Sequence, residues 1–413
     1  MREIVLENKQ GQMLKQELES KLLEIDRIVK QRSLDEGHIG LHTGLSGVSL
    51  FQFYLSKYRN TNDDSVIGVE ILERIMEKIN QGYEHPSFCN GISGAGWVLS
   101  HLEGNGFVDI DSDELLSGLD DFLHSAMIAD MKAKNYDFLH GAIGHALYFV
   151  SRYKNTRSKR LKENYKEYLL EFIDLLKSNS EKEQDGLKWI SVQQRDVVYN
   201  KYDLSLSHGI AGVIGILTKL HAHEDFRQIT ETLLRGAINY LMGHKKENRS
   251  FFLFPNLILQ NGEESIPSRL GWCYGDLGIG MRLWFASKEL NDKPLADEAI
   301  SILKHCATRR TPDTTMVKDA SLCHGSYGIA LMFMRIHKET LDSDFEEAVE
   351  FWIQDGLNNA IHDDGYAGYK QWREKDSWTR EISLLEGVTG IGLALIDYLA
   401  GFDTQWDECL MIS

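Results

Sequence analysis

Two kinds of hydrophobic pattern alternate along the chain. Segments that are apolar on nearly every face, such as residues 48–55, 146–150 and 329–334, predict buried helices. Between them lie segments with one apolar stripe and many charges, such as residues 66–76 and 161–171, which predict amphipathic outer helices. The alternation predicts an all-α protein built from pairs of one inner and one outer helix.

A Gly-x-x-Gly sequence opens each apolar segment. The seven copies begin at Gly44, Gly91, Gly141, Gly209, Gly275, Gly325 and Gly387. Self-similarity at such spacing indicates stacked supersecondary units. We predict that the seven pairs close into a seven-fold α/α toroid, in which the glycines let backbones approach closely where the inner helices begin. The copies follow one another without a linker, so residues 1–413 are predicted to form one domain.

The two longest intervals between copies carry extra sequence, at residues 187–207 and 251–267. They contain short β-branched or alternating pieces at 189–192 and 251–254. Short apolar runs cannot be assigned by periodicity alone. We expect these regions to form either small strands or a substrate-facing insertion.

The repeat provides a register in which distant residues can be compared. The residue before each first glycine is polar, although the helix that follows is apolar; these residues are Thr43, Asn90, His140, His208, Tyr274, His324 and Glu386. Polar groups at one end of every inner helix predict a polar mouth of the ring. We expect the functional site to lie there.

One position earlier in this register, the neighbouring repeats five and six each have a cysteine. These are Cys273 and Cys323, and His324 follows the second one. Packed helices lie about 8–10 Å apart, so loop residues at equivalent positions can converge on one ion. Two thiolates and one imidazole with an open fourth position are typical of catalytic zinc. The alternative is a pair of buried free cysteines.

A rival ligand set lies in repeats one and two. It consists of His42, Cys89 and His85. Only one of its members is a sulfur ligand, so it fits zinc less well than the set in repeats five and six.

The charge balance and the cysteine content exclude some classes of protein and indicate a cellular compartment. The chain has 45 Lys and Arg against 62 Asp and Glu, a net charge of −17, which argues against nucleic acid as a partner. No apolar stretch reaches the roughly 18 residues that a membrane span needs, and the first residues do not form a signal-peptide pattern. Five cysteines are an odd, sparse set that favours the reducing cytoplasm over a disulfide framework.

Four motifs together resemble the lanthionine synthetase C-like (LanC) cyclase family. They are Trp-Cys-Tyr-Gly at 272–275, Cys-His-Gly at 323–325, Ser-His-Gly-Ile-Ala-Gly at 207–212 and Leu-Glu-Gly-Val-Thr-Gly at 385–390. The first two are specific, whereas Gly-x-x-Gly alone is not. The resemblance extends over essentially the whole chain, because the family is itself a seven-fold toroid of such repeats.

The resemblance implies a function and its residues. The reaction would be addition of a peptide cysteine to a dehydrated Ser or Thr, giving lanthionine or methyllanthionine rings in lanthipeptide biosynthesis. Zinc would be held by Cys273, Cys323 and His324. Family motif positions imply active-site roles for His208, Asp137 and Arg269.

Chemistry suggests what each active-site residue would do. A histidine has a suitable pKa for proton transfer, so His208 is our candidate acid–base group. Asp137 would orient His208 or tune its charge. Arg269 would stabilise the enolate oxygen or hold the mouth together. A structural ion pair is the alternative for Asp137 and Arg269.

Three other functions compete with the cyclase hypothesis. A zinc toroid that binds or modifies a small thiol such as glutathione shares the metal ligands. A glycosidase would need a carboxylate pair, for which Glu386 and Asp137 are available, but leaves the cysteines unexplained. A non-catalytic scaffold in a peptide-modifying complex is the third. The cyclase hypothesis predicts a dehydrated precursor peptide as substrate, a separate dehydratase and a transporter as partners, and a cytoplasmic location that includes peripheral association with a membrane-associated biosynthetic complex.

Overall fold

The computed structural model describes residues 9–191, 201–247, 251–259, 262–264, 268–373, 375 and 377–413. Within them, a buried helix begins directly after the first glycine of every Gly-x-x-Gly motif. We call these inner helices 1 to 7: Leu45–Arg59, Ile92–Gly104, Ala142–Asn155, Ile210–His221, Asp276–Glu289, Ser326–Thr340 and Val388–Leu399. The predicted all-α architecture is confirmed.

Seven amphipathic helices surround the inner ones. These outer helices are Lys9–Arg32, Asp63–Asn80, Asp120–Lys132, Lys159–Ser178, Glu224–Gly243, Lys293–Thr308 and Ser343–Asn358. Short helices complete the described part at Ser33–Asp35, Ser112–Leu116, Pro312–Thr315 and Trp406–Leu410.

The inner helices form a closed ring. Each one packs against the next, and inner helix 7 packs against inner helix 1. The outer helix that covers inner helix 7 is Lys9–Arg32, which comes from the opposite end of the sequence. The ring therefore closes through contacts between residues that are almost the whole chain apart.

A circle of backbone hydrogen bonds joins the seven loops that precede the inner helices. Each loop donates an N–H to a carbonyl of the next loop at 2.9–3.3 Å, and the loop of repeat seven donates to repeat one through Leu385 N and His42 O. The acceptors are the residues two positions before each first glycine: Cys89, Leu139, Ser207, Cys273, Cys323, Leu385 and His42. This circle fixes the loops relative to one another at one end of the toroid.

The second glycine of every motif lies against the carbonyl of its own loop. A Cβ added there would come within 1.8–2.6 Å of the carbonyl oxygen of the residue six positions earlier, in all seven repeats. The close approach that we expected of the glycines is therefore made first of all to the preceding loop rather than to a neighbouring helix. Each loop can fold back tightly over its helix because the glycine has no side chain.

Six short strands pair into three two-stranded antiparallel sheets in the described residues. Glu181–Glu183 pairs with Gly186–Lys188, Lys201–Asp203 with Leu257–Leu259, and Gln371–Arg373 with Ser377–Thr379. The second sheet joins the two insertions that the sequence indicated, because one strand comes from each of them.

The strand positions differ from the expected ones. Residues 251–254 form no strand, because the amides of Leu253 and Phe254 donate to the buried carboxylate of Asp276 at 2.9 and 3.0 Å. In the piece at 189–192, Ser191 forms an isolated bridge with Lys201 and residue 192 lies outside the described residues. The rest of the expected insertions, at 192–200, 260–261 and 265–267, also lies outside them.

Candidate metal centre and active site

The mouth of the ring is built from the seven loops. The seven polar residues before the first glycines are all partly or fully exposed, whereas the seven residues just before them are all buried. Adjacent positions in each loop thus point to different environments, one toward solvent and one into the wall. The predicted metal ligands Cys273, Cys323 and His324 and the candidate acid–base residue His208 occupy these two positions.

Three predicted metal ligands converge at this end. Single ligand atoms of Cys273, Cys323 and His324 all lie within 4.8 Å of one another. Two sulfurs and one nitrogen in a tetrahedral zinc site would lie about 3–4 Å apart, given metal–ligand distances of about 2.0–2.3 Å. The donor types and their convergence therefore fit a zinc ion.

Backbone contacts hold the two cysteines together. The amide of Cys273 donates to the carbonyl of Cys323 at 3.1 Å, as part of the circle of hydrogen bonds. Gly275, two residues after Cys273, has φ of +100°, a left-handed conformation that favours glycine. A Cβ at this position would also come within 2.0 Å of the carbonyl oxygen of Arg269.

The pKa values of the two thiols shift in opposite directions. A hydrogen bond from Cys323 lowers the pKa of Cys273 well below its usual value, against the effect of burial, and His324 adds to the lowering. The same hydrogen bond and burial raise the pKa of Cys323. A divalent cation in this place would stabilise the thiolate form of both residues.

A buried carboxylate lies against the imidazole of His324. Nε2 of His324 lies 3.2 Å from Oδ2 of Asp319, whose side chain is fully buried. Asp319 is itself fixed by the amide of Ser321 at 3.0 Å and by the amide of Trp372 at 3.0 Å. A histidine that ligates a metal usually has such a partner on its other nitrogen. Burial is the largest single influence and lowers the pKa of His324, but the hydrogen bonds and charges of Asp319 and Cys273 together raise it to about 10.

We expect Asp319→Asn to weaken metal binding by about 10- to 100-fold, because the imidazole loses the carboxylate that fixes it and raises its basicity. Competition with a chelator of known affinity measures this. The matched control is Asp130→Asn, which removes a carboxylate 3.3 Å from Nε2 of His145, outside the cluster. Equal metal affinity of Asp319→Asn and wild type would contradict the assignment.

His208 and Asp137 form an ion pair in the adjacent part of the mouth. Nδ1 of His208 contacts Oδ2 of Asp137, and the other carboxylate oxygen accepts from the amides of Leu139 and His140 at 2.8 Å each. Burial is the largest single influence and lowers the pKa of His208, but the charge and hydrogen bond of Asp137, with the charges of Asp203 and Cys273, together raise it to about 9. His208 is therefore protonated at neutral pH, with Nε2 as the ring nitrogen that Asp137 does not occupy.

A second buried carboxylate supports this pair. Asp203 accepts from the Ser205 amide at 2.8 Å, and Ser205 Oγ in turn accepts from the His208 amide at 3.1 Å. Tyr274 donates weakly to Asp203 at 3.4 Å, and its ring centroid lies 5.7 Å from that of His208. Since Tyr274 follows Cys273 directly, these contacts connect the His208 environment to the metal cluster.

Arg269 lies close enough to the cluster for its charge to act on both thiols. That charge adds to the lowering of the Cys273 pKa and opposes the raising of the Cys323 pKa. Its guanidinium stands 5.9 Å from the ring centroid of Trp372, in the strand Gln371–Arg373. This placement is compatible with both roles expected of Arg269.

The rival ligand set does not assemble. Among the described residues, the cluster of Cys273, Cys323 and His324 is the one with metal-binding geometry. His42 is fully buried and its Nε2 lies 3.2 Å from the carbonyl oxygen of Cys409. Burial lowers the pKa of His42 to about 3, which is typical of a structural histidine.

The glycosidase hypothesis is not favoured either, because both of its carboxylates are engaged by cations. Glu386 lies 3.1 Å from Arg373, and Asp137 is paired with His208.

Sequence reasoning missed Asp319 and Asp203. Both stand five positions before the histidine that they support, His324 and His208 respectively. The same register position is polar in all seven repeats: His38, His85, Asn135, Asp203, Arg269, Asp319 and Glu381. Extending the comparison of repeats by these few positions would have found them.

A closed α/α ring with a thiol and imidazole cluster at its mouth defines the structural class. The lanthionine synthetase C-like protein family matches residues 36–411, and the chain belongs to that family. The nisin biosynthesis protein NisC of Lactococcus lactis subsp. lactis is 22% identical over 416 residues, which cover 92% of this chain and 91% of that protein.

A solved structure of nisin cyclase shares the fold. It matches with a TM-score of 0.72 at 19% sequence identity, over 94% of this chain and 96% of the other. No helix in the described ranges has both the length and the apolar character needed to cross a membrane.

Proposed function

We propose that this chain is a zinc-dependent lanthionine cyclase that acts on a dehydrated peptide. The observation that carries the proposal is the position of the His208–Asp137 pair beside the cluster of Cys273, Cys323 and His324, in a ring of the LanC-like family. The names of nisin biosynthesis protein NisC and of nisin cyclase support the same chemistry. A protein that only binds a small thiol would need the cluster but gives no role to a protonated histidine beside it.

The reaction joins a thiol to an alkene within one peptide. The substrate sulfur forms a bond to the β-carbon of a dehydroalanine or dehydrobutyrine, and a proton is added to the α-carbon, so no atoms are lost. A thiolate is the nucleophile, and a free thiol has a pKa of about 8.5. Zinc bound to Cys273, Cys323 and His324 would supply the charge that favours a substrate thiolate at neutral pH.

Three side chains of this protein would transfer the proton and stabilise the developing negative charge. His208 holds a proton at neutral pH and would transfer it to the enolate carbon. Asp137 keeps the imidazole in one orientation and stabilises its charged form. Arg269 would place a positive charge near the enolate oxygen, where it is most effective away from water.

Thiol counting on a dehydrated peptide tests the proposal. Incubation with the metal-loaded protein should consume the peptide thiols without changing its mass, because cyclisation is an isomerisation. Alkylation followed by mass spectrometry distinguishes free from closed cysteines. A parallel reaction with glutathione and a dehydrated peptide that lacks cysteine tests the small-thiol alternative. Thiol consumption only in that parallel reaction, or in neither, would refute the cyclase.

The His208–Asp137 pair also predicts a pH dependence. Activity should fall as pH rises through about 9, because His208 then loses the proton that it donates. The free energy of unfolding should change with pH in the same direction. Because His208 has a higher pKa in the folded protein than the unfolded value of about 6.5, its contribution to stability is fully present below that value and is lost as pH rises through about 9.

Asp137→Asn should move the alkaline limb of the rate profile to lower pH, since the largest influence raising the pKa of His208 is removed. The rate of thiol consumption between pH 6 and 10 measures this. The control is the replacement of the neighbouring exposed His140 by Asn. An alkaline limb that stays at the same pH in Asp137→Asn would contradict the effect of Asp137 on the pKa of His208.

A further inference from the structure

A cavity of about 550 Å³ lies at the other end of the barrel from the mouth. Its wall comes from the C-terminal halves of inner helices 2 to 5 and from the segment that contains Gln405, Glu408 and Ser413. Inner helices of 12–15 residues are about 20 Å long. We call this space the distal cavity, and its volume suits a small-molecule ligand.

Positive charge is concentrated on the wall of the distal cavity, although the chain as a whole is strongly acidic. The wall carries four cations, Lys154, Lys219, Lys288 and Arg282, against two acidic residues, Glu289 and Glu408. Two of the cations are ion-paired, since Lys154 lies 3.5 Å from Glu408 and Lys288 contacts Glu339. Lys219 donates at 2.6 Å to the Ser413 carbonyl oxygen.

The three lysines have a simple structural explanation, but Arg282 does not. The lysines lie in the last turns of inner helices 3, 4 and 5, where cations interact favourably with the helix dipole. Arg282 is in the middle of its helix and only 1% exposed, and its Nε and Nη2 have no hydrogen-bond partner among the described residues. Burial lowers the pKa of Arg282 to about 9. An unpaired charge in such a place is costly, so a partner is expected.

One candidate partner within the chain is already engaged. Asp407 is the carboxylate whose charge acts on Arg282. Its Oδ2 contacts Nε of Arg335, while its Oδ1 has no hydrogen-bond partner among the described residues. The counter-charge of Arg282 is therefore either Asp407 or a bound ligand. The two cases predict different effects of an added anion on the thermal midpoint of the wild-type protein.

We propose that the distal cavity is a second ligand site, which binds a small molecule through a phosphate group. With Lys154 and Lys288 already paired with Glu408 and Glu339, Lys219 and Arg282 are the cations of the wall that a phosphate group would meet. Guanidinium and ammonium groups together are the usual protein partners of phosphate. Reorientation of the Arg282 side chain toward the space that it lines would complete the contact. This site is separate from the proposed cyclase chemistry.

Calorimetric titration of the full chain with inorganic phosphate and with pyrophosphate tests the proposal. We expect saturable binding of one ion per chain and a higher thermal midpoint in their presence than in chloride at matched ionic strength. Arg282→Leu should raise the dissociation constant by about 10- to 100-fold, because charge-assisted hydrogen bonds contribute about that much to affinity. Lys219→Met provides a second variant with the same expected direction. Lys293→Met, at a lysine whose side chain is 82% exposed and pairs with Asp297 of its own helix, is the matched control.

Several results would overturn the proposal. No saturable binding, or binding that is unchanged in both Arg282→Leu and Lys219→Met, excludes the distal cavity as the site. Loss of binding in Cys323→Ala would instead place the ion at the mouth. If Arg282→Leu lowers the thermal midpoint and phosphate never changes that of wild type, Arg282 is the structural counter-charge of Asp407. Equal binding of succinate would remove the preference for a phosphate group.

Discussion

Replacing Cys323 with alanine should reduce the zinc content from about one ion per chain to a trace and abolish cyclisation. Cys323 is one of three converging ligands, and a site with one sulfur and one imidazole left would bind zinc far more weakly. Loss of the metal removes charge stabilisation worth several kcal/mol, so the rate should fall by about a thousandfold or more. Metal analysis and thiol counting on the same preparation measure both effects.

The matched control for this prediction is Cys306→Ala. Cys306 is a fully buried free cysteine in the outer helix Lys293–Thr308, outside the cluster. The Cys306→Ala protein should keep its zinc and its activity. Both Cys306→Ala and Cys323→Ala should keep the helical signal in circular dichroism. Full activity of wild-type protein after exhaustive removal of metal would contradict the zinc assignment, whatever Cys323→Ala does.

The repeat register explains why so much of the cluster was visible in the sequence. Cys273 and Cys323 occupy one structural position in neighbouring repeats, and the circle of backbone hydrogen bonds makes those positions true neighbours. A comparison of residues 50 positions apart was therefore a comparison of adjacent points on a ring. His208 and Asp137 likewise belong to neighbouring repeats, four and three, and the structure pairs their side chains.

Features that depend on distant parts of the chain were not visible in the sequence. The helix Lys9–Arg32 covers inner helix 7, although no motif marks it as the last outer helix of the ring. The strand that contains Trp372 reaches the cluster through one amide bonded to Asp319. A backbone amide leaves no trace in residue type, so a contact of this kind cannot be inferred from composition or spacing.

The conversion of His208 to asparagine separates proton transfer from metal binding. The side chain contacts Asp137 and is not among the three converging ligands, so His208→Asn should keep about one zinc per chain. Cyclisation should fall by roughly 10²- to 10⁴-fold, which is the usual contribution of a positioned acid–base group. Binding of dehydrated peptide should be retained, because asparagine preserves a polar group of similar size.

His140→Asn is the control for this variant. His140 occupies the equivalent position in the neighbouring repeat, and the replacement there should leave the rate near that of wild type. If His208 is instead an alternative zinc ligand, metal and activity should be lost together in His208→Asn. Full zinc with a rate of thiol consumption close to wild type would refute the catalytic assignment, since a histidine that only shapes the mouth can be replaced without slowing the chemistry.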